Sequence, residues 1–156
     1  VVAMRKNIGR VLVFILLIAA VIFFLPRPLG REMEKAELIF ISYHTYNRDP
    51  VSLQIEEGSE EWQRLNAILD SYRYHATLGT VFHDNTVVGA VDGTVHVQFV
   101  GAQGETFSFS CLGKQKILVG DRAYHLGYFG DRTAERLMQE LRQYIEERTP
   151  SMPQNS

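Results

Sequence analysis

The chain of 156 residues contains one cysteine, Cys111. It can neither close an internal disulfide nor supply a thiolate metal cluster, so its fold must stand on an apolar core. Lone cysteine usage is compatible with the cytosol and equally with a bacterial envelope. Internal repeats and low-complexity tracts are absent, as are a G-x-S-x-G elbow, a phosphate-cradling glycine loop and an H-E-x-x-H metalloprotease motif. These absences remove the nucleophile-elbow hydrolases, P-loop enzymes and zincins as readings. No acidic residue precedes Glu32, and no arginine cluster interleaved with aromatics follows it.

The charge that is present is unevenly spread. Arg5, Lys6, Arg10, Arg27 and Arg31 give +5 before position 32, and from Glu32 onward the chain carries −7. An acidic globular part repels phosphate backbones, so no nucleic-acid partner is expected.

One long hydrophobic run stands out. Val11–Leu25 is apolar throughout and is followed by Pro26. Fifteen helical residues reach only about 22 Å, short of the roughly 30 Å hydrocarbon layer. Extending back past Arg10, whose stem can snorkel, makes a single span feasible over residues 8–25. The following Pro26-Arg27-Pro28-Leu29-Gly30-Arg31 offers no A-x-A cleavage pattern, and Ala19-Ala20 lies inside the run. The reading is an uncut signal anchor behind a short basic lead, residues 1–10. A core helix would carry a polar face, and this segment has none. The flanking bases are nearly balanced, but a short basic lead before one apolar segment points to an inside amino end. The expected localisation is the cell membrane, single-pass, with the C-terminal domain outside the cytoplasm.

The rest reads as stalk (26–36), an α+β globular domain (37–148) and a disordered tail (149–156). "ELIFISYHTY" and "VSLQI" predict two strands about the turn residues "NRDP". In "EEGSEEWQRLNAILDSYRY", Ser59 is the expected N-cap and Trp62, Leu65, Ile68, Leu69 and Tyr72 form one stripe. From Leu78 to Leu126 the text reads as strand and turn. "TVHVQFV" and "ETFSFSC" make one hairpin, and "KILVGDRAYHL" makes another about Gly120-Asp121 with Ile117, Val119, Tyr124 and Leu126 inward. Asp131 is the expected cap of a closing helix with Ala134, Leu137, Met138, Leu141, Tyr144 and Ile145 on one face. The expected fold class is α+β: an N-terminal transmembrane helix, then an antiparallel sheet with two amphipathic helices packed on one face.

Candidate chemistry is sparse. His83-Asp84 has the ligand types of a metal phosphohydrolase but sits in a strand-to-turn segment; a hydrolytic or metal site would need His83, Asp84 and His96, with His125, to converge across strands. Alternation sets Cys111 beside Phe107 and Phe109, where a thiol is a small buried hydrophobe. Glu56, Glu57, Glu60 and Glu61 lack the oxygen-ligand spacing of a calcium loop and suit a helix start. Tyr128 and Phe129, between glycines in "GYFGD", are the candidate interaction surface. No catalytic residue, cofactor or metal site is expected.

"EEGSEEWQRLNAILDSYRYH", then strands, then "KILVGDRAYHLGYFGD" and a closing helix resembles small envelope-facing domains of Gram-positive bacteria, many of them lipoproteins or single-span proteins with a strand-helix-strands-helix body. The likeness covers about residues 36–147 and implies location and general fold, not an activity. This chain departs from the lipoprotein members in having no acylated cysteine near the anchor. The expected function is a membrane-anchored, non-enzymatic binding module whose partners are the bilayer, through residues 8–25, and a protein or small-molecule ligand. The alternatives are the small hydrolase or metal-dependent enzyme and an accessory subunit of a membrane complex.

Overall fold

The computed structural model describes residues 2–45, 48–86, 93–127 and 133–149, with the side chains of 2–7 and 48 left aside. In chain order the elements are α1 (Val2–Phe24), β1 (Arg27–Pro28), a 3-10 helix (Leu29–Lys35), β2 (Ala36–Thr45), β3 (Arg48–Glu56), α2 (Glu60–Asp70), β4 (Arg73–His75), α3 (Leu78–Val81), β5 (Thr94–Gly101), β6 (Thr106–Leu112), β7 (Lys116–Val119), β8 (Arg122–Leu126) and α4 (Ala134–Glu146).

The strands make one antiparallel sheet in the order β1-β4-β8-β7-β6-β5-β2-β3. Registers Ile39↔Phe99, Ile41↔Val97 and Tyr43↔Val95 continue to Phe107 and Phe109 on β6 and to Ile55 and Leu53 on β3. Because side chains alternate, these residues share one face. That face is the core, shared with Leu65 and Leu69 from α2, with Tyr72 just after it, and with Leu137, Leu141 and Ile145 from α4. Helix α4 rests on β2, β5 and β6, while α2 packs against β3, the 3-10 helix and α4. Tyr144 Oη donates to the Glu61 carbonyl at 2.9 Å, tying the two helices together.

The α+β class stands, and so does much of the local detail. Ser59 caps α2 by accepting from Trp62 N, and the inward sets of both expected hairpins line the core. Pro50 falls inside β3 rather than in a turn, which is tolerated because β3 is an edge strand. The α4 cap is Thr133, whose side chain accepts from Arg136 N; Asp131 lies outside the described residues, as does the expected tail from 150 on.

Residues 26–36 are not a free stalk. Arg27 and Pro28 pair with Tyr74 and Arg73. Leu29 N donates to Tyr72 O at 3.0 Å, and Leu29 and Met33 are core residues. Gly30 packs so closely on α2 that a Cβ there would meet the Asp70 carboxylate. Only Leu25 and Pro26 therefore separate α1 from the folded domain.

Helix α1 differs from every other element. Val11 through Leu17, two full turns, are each 55–64% exposed, so no side of that stretch rests on protein. Its described side chains begin at Ile8, and among the described residues no helix is long and apolar enough to cross a membrane. The helical backbone itself runs 23 residues, about 35 Å.

Candidate functional site

The face of the sheet turned away from α2 and α4 carries most of the polar chemistry. Ser52, Ser42, His96 and Ser110 are register neighbours across β3, β2, β5 and β6. His96 Nδ1 and Ser110 Oγ lie 2.9 Å apart, and His44 Nε2 and Ser42 Oγ 3.2 Å apart. Each pair is a hydrogen bond whose donor depends on the histidine tautomer. Partial burial, then the neighbouring His44, lowers the His96 pKa from its ordinary value. Phe40 and His44 are exposed beside this row. A serine bonded to a histidine is the first half of a nucleophile–base pair. Among the described residues, however, no carboxylate bonds to His96 to orient it, so the row offers hydrogen-bonding groups to a ligand rather than a complete relay.

His83 and Asp84 have separate duties. Helix α3 ends with His83 in the left-handed region, φ 56°, while Asp84 N donates to Gly79 O at 2.8 Å. That is a Schellman-type stop with a histidine where glycine is usual. The Asp84 carboxylate accepts from the Thr86 hydroxyl and from Thr86 N, which with the Lys116 charge holds its pKa below the usual value. Asn85 accepts from Ala123 N and donates to Asp121 O, both at 3.0 Å, and His83 Nε2 stands 3.6 Å from an Asp121 oxygen. Lys116 Nζ donates to Thr86 O at 3.0 Å. Residues 83–86 thus form a clamp that holds α3 over β7 and β8. His83, Asp84 and His96 are held by three different partner sets, and no group of three or more His, Cys, Asp or Glu among the described residues could hold a metal ion.

A second histidine pair joins β4 to β8, with the rings of His75 and His125 at 5.9 Å between centroids. Burial lowers both pKa values, assisted by His125 at His75 and by Lys116 at His125. His75 lines a crevice with Phe23, Leu25, Arg27, Tyr74, Ala76 and Tyr124, with room for water rather than for a substrate. Cys111 is 3% exposed and burial pushes its thiol up to about 12, so it is unreactive in the folded protein. Tyr128 and Phe129 lie outside the described residues.

The serine partners of the histidines, and α3 as a whole, escaped the sequence reading. The alternation of His96 with Gln98 and of Ser108 with Ser110 does mark a polar face. Ser42 and His44 share a face by alternation within β2, but that Ser110 faces His96 is a matter of register between β5 and β6, which no local pattern encodes. No family model, curated protein or solved structure matches the chain.

Proposed function

We propose that this protein is a single-pass membrane-anchored binding module, with α1 in the bilayer and the α+β domain held outside the cytoplasm. One observation carries the reading: an unbroken apolar helix surface, exposed on all sides, joined to a folded domain by two residues. Soluble monomers rarely present a contiguous apolar patch above a few hundred Å². The helical part of the proposed span, residues 8–24, reaches about 26 Å, close to the roughly 30 Å hydrocarbon layer, and Arg10 and Arg27 flank the apolar run, where their long stems can reach the headgroups. The basic lead and the absence of a small-residue cleavage pattern support retention of the helix with the domain on the far side.

The binding role rests on the outer sheet face, where Phe40, Ser42, His44, His96 and Ser110 offer ring and hydrogen-bonding groups to a protein or small ligand. The hydrolase alternative has less support, since His83 and Asp84 are engaged in the α3 clamp and His96 in a serine pair.

Orientation is tested by a membrane-impermeant thiol reagent on a Ser52→Cys variant, an exposed position on edge strand β3. Buried Cys111 stays silent in the folded protein. Labelling in intact cells supports the reading; labelling only after permeabilisation puts the domain inside and overturns it. Purification in mild detergent then separates a lone module from an accessory subunit, which would bring stoichiometric membrane partners with it.

A further inference from the structure

Helix α3 exposes apolar side chains that its own anchoring turns outward. Leu78 and Phe82, one turn apart, are 68% and 76% exposed, with Val81 at 41% beside them. Between them Thr80 is 1% exposed, and its hydroxyl donates to Ala123 O at 2.6 Å. Thr77 and Thr80 close a reciprocal capping box, Thr77 N to Thr80 Oγ1 at 2.9 Å and Thr80 N to Thr77 Oγ1 at 3.3 Å. The short helix thus satisfies its leading N–H groups internally. With the 83–86 clamp behind it, α3 is fixed to β8 by polar bonds and points its apolar residues away from the domain. The three side chains make one contiguous exposed apolar patch, the kind of feature that marks a contact surface.

The topology says what meets it. β4 runs antiparallel to β1, with Arg27 opposite Tyr74 and Pro28 opposite Arg73. Continuing past His75 therefore carries the chain back toward the residues that leave α1. Phe23 and Leu25 line the same crevice as His75 and Ala76, two residues before Leu78. β8 runs against β4, so its first residues and the Gly120-Asp121 turn lie at that end too. The exit of α1 and the apolar face of α3 share one end of the domain.

We propose that Leu78, Val81 and Phe82 form a second lipid contact, seated in the interfacial zone of the bilayer beside α1 and fixing the domain against the membrane surface. Apolar side chains on a short, internally capped turn suit the headgroup–acyl boundary, where an amphipathic element lies about 5–10 Å deep. The two-residue link after α1 limits how far this end can move from the surface. The inference rests on α1 being embedded, and its test keeps the two apart.

The full chain carrying Phe82→Cys, Leu78→Cys or Ser52→Cys is labelled with an environment-sensitive fluorophore and reconstituted into phosphatidylcholine–phosphatidylglycerol vesicles, with and without spin-labelled lipid. The expected result is a blue-shifted emission at positions 78 and 82, quenched by spin-labelled lipid, and neither effect at position 52, on the far edge strand. Vesicle-bound protein whose label at 78 and 82 is as water-exposed as at 52 overturns the second contact and leaves the α1 anchor standing. Failure of the chain to float with vesicles overturns the anchor and with it this inference.

Discussion

Helices α1 and α4 obey one rule and meet it differently. α4 buries Ala134, Leu137, Met138, Leu141, Tyr144 and Ile145 along one stripe. Its other face stays polar, with Arg142 and Glu146 paired at 2.8 Å. α1 has no such division: from Val11 to Phe24 every residue is apolar, and none of its described side chains is buried. Both need their apolar surface out of water. The sheet does this for α4, and α1 takes nothing comparable from the described residues; in the proposed reading the bilayer does it instead. Hydrophobicity alone does not name a helix's place; the presence or absence of a polar face does.

The same substitution made in both helices separates the two cases. Leu141→Ala should cost the domain about 2–5 kcal/mol, as expected for a fully buried leucine. Leu16→Ala should leave unfolding of the domain, followed by near-UV circular dichroism in micelles, within about 0.5 kcal/mol of the parent. Equal losses would mean that α1 is a core helix. Next in size, Leu16→Arg should penalise membrane insertion by about 2.5–3.5 kcal/mol and release a measurable fraction of the chain from the membrane pellet. An unchanged pellet would show that the segment is not the anchor.

Smaller effects sharpen the contrast. Thr133→Ala removes the α4 cap and should cost about 1 kcal/mol. His75, His96 and His125 all have pKa values lowered chiefly by burial. The unfolded chain then binds protons more readily, so their contribution is complete above pH about 6.5 and is lost as pH falls through the lowered values. Denaturant midpoints measured from pH 8 to pH 5 should fall, and a combined His75→Gln, His125→Gln variant should flatten the slope. Smallest of all, His83→Gly should raise stability by up to about 1 kcal/mol by relieving a left-handed residue. A loss instead would mean that the His83–Asp121 contact outweighs backbone strain.

Legibility in the sequence followed the range of the signal. Ser59 with its acidic first turn, the α4 stripe and the period-two strands are local patterns, and each reappears in the fold. Residues 26–36 misled because two prolines and several charges resemble a linker, and only Leu29 and Met33 declare its burial. Helix α3, at four residues, is shorter than any periodicity that could reveal it. The His–Ser row failed for another reason, since it exists only once β2, β5 and β6 take their register. His83-Asp84 looked like chemistry because a helix stop and an Asx turn use residue types that also bind metals.

In the proposed reading α1 remains in the bilayer as part of the intact chain. Alkaline carbonate extraction of cell membranes, with the product's mass read by intact-protein mass spectrometry, tests it most directly. A bilayer-held α1 leaves the chain in the pellet with α1 still attached; recovery of a free chain in the supernatant, or of a domain lacking α1, would show that the bilayer does not hold it.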